Sequence, residues 1–114
     1  MKTKQRQRKD GRPDQKILAE IVQRVVEAAQ PDKIILFGSA ARGEMGPNSD
    51  IDLLVIKSGK FNRDRVTREI YRRLSGAAAV DALVVTPEEL EQYGDSPYLV
   101  YYPALRDGKV IYGA

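Results

Sequence analysis

The strongest constraint on the fold is a segment of twenty residues, 36–55, that joins two short apolar runs. The first run, residues 34–37, ends at the pair Gly38-Ser39, and the second run follows as residues 53–56. Short apolar runs bounded by turn residues are typical of buried strands. The segment therefore predicts two strands, with small polar residues where one ends and acidic residues where the other begins.

Two aspartates, Asp50 and Asp52, stand one residue apart at the start of the second predicted strand. Side chains two positions apart share a face of a strand, with Cα atoms roughly 6.5 Å apart. Ionised carboxylates on an apolar face lose hydration and repel each other, which costs several kcal/mol unless a cation compensates. A third acid, Asp81, interrupts the apolar run 80–85. A divalent cation would neutralise all three acids, so the pattern predicts a metal site.

The Gly-Ser pair predicts a phosphate-binding turn beside these acids. Gly38 has no Cβ to keep a phosphate from the backbone. Ser39, at the start of a short predicted helix, offers a hydroxyl and free N–H groups to anionic oxygens. Arg42, one helical turn later, either reaches the same phosphates or pairs with Glu44.

Each of these residues also has an ordinary interpretation. Asp50 and Asp52 can be solvated residues at the start of a strand, Asp81 can pair with an arginine, and Gly38-Ser39 can be a simple loop. The ordinary interpretations become weak when the residues are taken together, because the acids follow the Gly-Ser pair at a fixed distance. We interpret the combination as a nucleotide and metal site.

Composition limits the chemistry further. The 114 residues contain no cysteine and no histidine. Thiolate and imidazole ligands are thereby excluded, and any metal is bound by oxygen, which favours Mg²⁺, Mn²⁺ or Ca²⁺. No apolar run approaches the roughly 20 residues that span a bilayer, and the N-terminus has no apolar signal core. We expect one soluble, cytoplasmic domain without a membrane contact.

The positive charge is concentrated at the N-terminus. Residues 1–16 carry a net charge of +5, so the rest of the chain sums to −2 within the total of +3. Residues 1–12 are polar and lack periodicity, which predicts a disordered basic tail before a domain of residues 13–114. Such a tail is either a solvated or docking arm, or a weak contact to nucleic acid through phosphates.

Hydrophobic periodicity and turn residues predict an α/β fold with a small mixed sheet of three to four strands flanked by helices. The strands are predicted at residues 33–37, 50–57, 80–85 and, at an edge, 109–112. The helices are predicted at residues 13–29, 39–42, 62–74, 87–93 after a capping box at Thr86, and 96–107 with a break near Pro103.

Gly38-Ser39, ten intervening residues, Asp50-x-Asp52 and Asp81 resemble the signature of the minimal nucleotidyltransferases, the smallest branch of the DNA polymerase beta-like nucleotidyltransferase superfamily. The resemblance extends from Lys33 to about Tyr112. It implies that Asp50 and Asp52 bind two Mg²⁺ ions, with Mn²⁺ as an alternative. It further implies that Asp81 joins the catalytic ion and accepts the proton of the attacking hydroxyl. Gly38 and Ser39 would hold the outer phosphates of the substrate, ATP.

Many such domains are antitoxins encoded beside a HEPN-domain ribonuclease toxin. The resemblance therefore implies transfer of AMP from ATP to a tyrosine hydroxyl of that toxin. Because 114 residues leave no room for an acceptor domain, we expect a partner or self-association to supply the acceptor surface. Two alternatives stay open. The chain is a non-catalytic antitoxin that occludes its partner through Tyr98, Tyr101, Tyr102 and an arginine-rich helix, or the acceptor is a small molecule or an RNA end.

Overall fold

The structure is a computed structural model that describes residues 8–9, 11–77, 79–93 and 101–113. Its strands are β1 (Arg8–Lys9), β2 (Arg12–Pro13), β3 (Lys33–Phe37), β4 (Ile51–Ile56), β5 (Val80–Val85) and β6 (Lys109–Tyr112). Its helices are α1 (Gln15–Ala29), α2 (Gly38–Arg42), α3 (Arg63–Leu74), α4 (Pro87–Tyr93) and α5 (Tyr101–Asp107). No helix of this described part is long and apolar enough to cross a membrane.

Four strands form one mixed sheet in the order β5-β4-β3-β6. The inner strand β3 runs antiparallel to both β4 and β6, whereas β4 and β5 are parallel. A parallel pair needs a crossover between its strands, and α3 supplies it between β4 and β5. This architecture confirms the predicted α/β fold with a small mixed sheet flanked by helices.

Apolar side chains cover both faces of the sheet. On one face, Leu36 and Leu53 pack with Val25 of α1 and Ile70 of α3. On the other face, a smaller cluster contains residues of β3, β4 and β5 together with Ala104 of α5. The unbroken apolar runs of the inner strands follow from this burial on two sides, as predicted.

Side chains cap three helices where the sequence predicted that they begin. Asp14 accepts hydrogen bonds from two backbone N–H groups at the start of α1. Asn62 accepts one from the N–H of Arg65 in α3. At α4 the predicted capping box is present, because the N–H of Thr86 donates to Glu89 Oε1 at 2.9 Å and the N–H of Glu89 donates to Thr86 Oγ1 at 3.1 Å.

The N-terminal segment differs from its prediction. The sequence predicted disorder throughout residues 1–12, but the structure pairs β1 with β2 in an antiparallel hairpin. The carbonyl of Gly11 accepts a hydrogen bond of 2.8 Å from the N–H of Met45, which anchors the hairpin turn beside the segment after α2. Residues 1–7 and 10 lie outside the described residues, and the domain boundary after residue 12 stays a prediction.

The last helix also differs from its prediction. α5 runs from Tyr101 through Pro103 to Asp107, so the described part of this helix has no break at Pro103 itself. Pro103 is the third residue of the helix, where a missing N–H leaves no intrahelical hydrogen bond unmade. The predicted start of this helix at residue 96 lies outside the described residues.

Candidate active site

Two of the three predicted acids lie side by side in the sheet. Asp52 is the second residue of β4, Asp81 is the second residue of β5, and the strand register pairs them directly. Neighbouring strands are about 4.8 Å apart, and paired residues of parallel strands direct their side chains to the same face. The structure therefore brings these two carboxylates together on the face that carries the smaller apolar cluster.

The third acid, Asp50, is exposed and directly precedes β4. Burial raises the pKa of Asp52, and the negative charges of Asp81 and Asp50 raise it further, while Arg42 opposes them. Asp52 therefore lies within electrostatic reach of both other carboxylates. A cation placed among them would stabilise their ionised forms.

Gly38 lies directly beside this group. The last residue of β3, Phe37, pairs with Asp52, so Gly38 leaves the sheet next to the same carboxylate. Its backbone has a φ of +72°, and a Cβ at this position would overlap Asp52 Oδ2. Glycine is required here both by the left-handed backbone and by the close approach of the carboxylate.

Ser39 and Arg42 belong to α2, which starts where β3 ends. Ser39 is partly exposed, and no side chain of the described residues caps the start of this helix. Arg42 donates from Nε to Glu44 Oε1 at 2.8 Å, which is the ion pair that the sequence left as one of two alternatives. Its positive charge nevertheless acts on Asp52, so it lies within electrostatic reach of the acids.

The acidic group fits a hard divalent cation that arrives with its substrate. No three acidic side chains of the described residues converge closely enough to form a complete metal cage. Mg²⁺ does not need one, since it usually binds through one or two carboxylates and takes its other ligands from water and substrate phosphates. Asp52 and Asp81, paired on one face, offer this kind of partial oxygen site.

Tyr71 of α3 also contacts this group, and the sequence did not predict it as a site residue. Its hydroxyl accepts a hydrogen bond of 2.8 Å from the N–H of Ala82 and lies 3.3 Å from Asp81 Oδ1. The sequence does contain one indication of its role, because this tyrosine interrupts the arginine-rich outer side of the predicted helix. Its contact with β5 depends on the order of the strands in the sheet, which local sequence patterns do not indicate.

Comparisons with known proteins agree with this architecture. A family model described as a nucleotidyltransferase domain matches residues 16–107. A candidate nucleotidyltransferase from Sulfolobus solfataricus has a similar structure, with a TM-score of 0.59 and 25% sequence identity, over 86% of this chain and 78% of that chain. A search of curated proteins found no match.

Two further solved structures share the fold at 20% identity. One is a mutant of the toxin–antitoxin pair MntA-HpeT, with a TM-score of 0.56 over 82% of this chain and 71% of that chain. The other is a toxin–antitoxin structure with AMP-PNP, with a TM-score of 0.54 over 82% of this chain and 72% of that chain. At this level of identity the likeness establishes the fold alone.

The raised pKa of Asp52 has a consequence for stability. The folded state holds the Asp52 proton more tightly than the unfolded state, so stability falls as the pH rises above the ordinary aspartate value of 3.8. Without divalent cations, we expect Asp52→Asn to be more stable than the wild type at pH 7. We expect this difference to disappear as the pH falls below 3.8. Urea unfolding between pH 3 and pH 8 measures the effect.

Asp107→Asn is the control for this measurement, because a hydrogen bond from Arg106 lowers the pKa of Asp107. Its ionised form is favoured in the folded state, so its replacement should lower stability at pH 7 and have no effect once the acid is protonated. An Asp52→Asn protein that is less stable than the wild type at pH 7 would contradict the repulsion inferred here.

The close approach of Gly38 to Asp52 is testable with a matched pair of glycines. Gly59 also has a positive φ, +91°, but a Cβ there would meet no atom within 4 Å. Both glycine-to-alanine variants should lose about 1 kcal/mol from backbone strain. Gly38→Ala should lose about 1–3 kcal/mol more because its methyl group overlaps the carboxylate. Thermal or urea unfolding reports both losses.

Adding Asp52→Ala to the Gly38→Ala protein should recover part of that extra loss, because the overlapping carboxylate is removed. Equal losses for the two glycine variants, with no recovery in the double variant, would show that the carboxylate does not crowd Gly38.

Proposed function

Because this chain belongs to the family of nucleotidyltransferase domains, we propose that it transfers AMP from ATP to a tyrosine hydroxyl of a partner toxin and thereby acts as an antitoxin. One observation carries the proposal. The register of β4 and β5 pairs Asp52 with Asp81 beside the glycine turn at the end of β3. Paired carboxylates next to an uncapped helix start form a site for a metal-bound triphosphate.

The reaction we propose is a substitution at the α-phosphorus of ATP. The acceptor hydroxyl oxygen forms the new bond to this phosphorus, the bond to the bridging oxygen of the β-phosphate breaks, and pyrophosphate leaves. The hydroxyl proton passes to a carboxylate oxygen of Asp81. This assignment suits Asp81 because, of the two paired acids, it lies on the outer strand of the sheet and its side chain is exposed.

The remaining site residues bind and orient the nucleotide. Gly38 and Ser39 hold the outer phosphates, the glycine because its backbone is open to them and the serine through its hydroxyl and N–H groups. Arg42 adds positive charge near the same phosphates when it exchanges Glu44 for a phosphate oxygen. Asp50, Asp52 and Asp81 would hold two Mg²⁺ ions, with the remaining ligands taken from water and the substrate phosphates. When bound, these ions neutralise the charge that develops on the phosphate oxygens.

Structures with the same fold support a toxin as the partner. Two of them are toxin–antitoxin structures, and one of these is described with AMP-PNP, an analogue of ATP. The MntA-HpeT mutant has two aspartates changed to glutamate, and these stand one residue apart, as do Asp50 and Asp52 here. We extend the toxin partner to this chain as part of the proposal, with a HEPN-domain ribonuclease as its class.

Occlusion of the toxin without chemistry is the competing function. The tyrosines considered for such a surface fall largely outside the described residues, which include neither Tyr98 nor the side chains of Tyr101 and Tyr102. The described arginines of α3 are mostly paired, for example Arg63 with Glu89 and Arg73 with Glu69. Because these arginines are held in ion pairs within the chain, the acidic site is the better supported basis for function.

Transfer is tested with ATP labelled at the α-phosphate, Mg²⁺ and the protein encoded next to this chain. We expect label on a tyrosine of that partner, and the double variant Asp50→Ala/Asp52→Ala should slow labelling at least about 100-fold because the phosphates lose their bound cations. Glu91→Ala, an exposed acid of α4, is the control and should label like the wild type.

Full labelling by the double variant would exclude these aspartates from the reaction. If the double variant fails to label its partner but still protects cells from the toxin, occlusion is the function. Label on RNA or on a small molecule instead of the partner would assign a different acceptor to the same chemistry.

A further inference from the structure

The strand that carries Asp81 lies at the edge of the sheet. Among the strands that the structure describes, β5 pairs with β4 alone, on one side. In a parallel ladder, alternate residues direct both backbone groups to the same neighbour, so on an edge strand every second residue directs its N–H and C=O outward. Ala82 is such a residue, and it directly follows Asp81.

One hydroxyl group contacts both outward groups of Ala82. Tyr71 Oη accepts a hydrogen bond of 2.8 Å from the N–H of Ala82 and lies 3.3 Å from its carbonyl oxygen. The phenol oxygen thus stands where the backbone of a further strand would otherwise be. It restrains the edge strand at the position next to the acid.

The same hydroxyl also contacts the acid itself, since Tyr71 Oη lies 3.3 Å from Asp81 Oδ1. A hydroxyl has one proton, which it can donate to Asp81 or to the carbonyl of Ala82. A phenol has an ordinary pKa of about 10, so the hydroxyl keeps this proton at neutral pH. The contact leaves the second carboxylate oxygen of Asp81 available to a ligand.

Burial in the core does not explain why a tyrosine occupies position 71. Ile70 and Leu74 of the same helix are buried in the core, whereas Tyr71 is 40% exposed. Within the described part of the chain, its hydroxyl makes three polar contacts, and these are to Asp81 or the residue after it.

We propose that Tyr71 is a positioning residue that holds β5 and the carboxylate of Asp81 in place for the divalent cation and the acceptor proton. This inference rests on the proposed function, because it assigns Tyr71 a role through Asp81. A carboxylate on an exposed strand edge loses rotational freedom when it binds a ligand. A hydrogen bond that restrains it beforehand reduces this loss, and removing such partners typically weakens metal sites 10- to 100-fold.

The test measures Mn²⁺ binding by electron paramagnetic resonance in the presence of AMP-PNP, so it does not depend on turnover. Tyr71→Phe removes only the hydroxyl, and we expect the dissociation constant for Mn²⁺ to rise about tenfold. Tyr112→Phe is the matched control, because Tyr112 is similarly exposed, at 36%, but lies on the opposite edge strand β6. This control should bind Mn²⁺ like the wild type.

A double-mutant cycle separates positioning from general stability. If Tyr71 acts through Asp81, then adding Tyr71→Phe to an Asp81→Ala protein should not weaken Mn²⁺ binding further. Thermal unfolding of every variant accompanies the titrations. Hydrogen exchange at the amide of Ala82 should be faster in Tyr71→Phe than in the wild type, which shows that the hydroxyl has been lost from the strand edge.

The outcomes distinguish this inference from the proposed function. Mn²⁺ binding that Asp81→Ala weakens but Tyr71→Phe leaves unchanged overturns the positioning role alone. A lower melting temperature of Tyr71→Phe with unchanged Mn²⁺ affinity likewise assigns Tyr71 a purely structural role, as does an additive effect in the cycle. No Mn²⁺ binding by the wild type overturns both the inference and the proposed function.

Discussion

The pairing of two like-charged carboxylates on adjacent strands is the constraint on which the rest of the site depends. Asp52 and Asp81 stand side by side because the register of β4 and β5 is set by the apolar residues that follow each acid. A shift of one residue would turn all of those apolar side chains to the wrong face. The core therefore maintains a repulsive contact that neither acid would favour alone.

The elements around Asp52 and Asp81 accommodate the two carboxylates and place the predicted phosphate-binding turn beside them. β3 ends opposite Asp52, and Gly38 allows the chain to turn into α2 without a Cβ against the carboxylate. The start of α2 thus lies beside the acids. Phosphate groups and acids on one surface need a cation between them, which is the physical basis of the proposed function.

The sequence predicted the elements well because their signals are local. The three long strands and the helix starts follow from apolar runs and capping residues such as Thr86, whose preferences act over a few residues. Strand geometry predicted a shared face for Asp50 and Asp52, but β4 begins at Ile51, so Asp50 lies just outside the strand. That Asp81 joins them required the parallel register of two strands separated by a helix, which the family resemblance implied and periodicity alone did not.

The features that the sequence did not predict depend on contacts between distant segments. The N-terminal hairpin is anchored by Gly11 against Met45, and nothing in its basic composition indicates such a partner. The contact of Tyr71 with Asp81 exists because β5 is an edge strand, and strand order is a property of the whole sheet. Both contacts were missed for the same reason. Local sequence patterns indicate which elements form and which of their faces are buried, but not which distant segment an element contacts.

The central claim is that the paired carboxylates bind a divalent cation together with a nucleotide. Anomalous X-ray diffraction from crystals grown with Mn²⁺ and AMP-PNP tests it most directly, because it locates the ion without assuming any activity. We expect an anomalous peak bridging Asp52 and Asp81, with the triphosphate of the analogue against Gly38 and Ser39. A nucleotide bound elsewhere, or no peak at this pair of acids, would contradict the account.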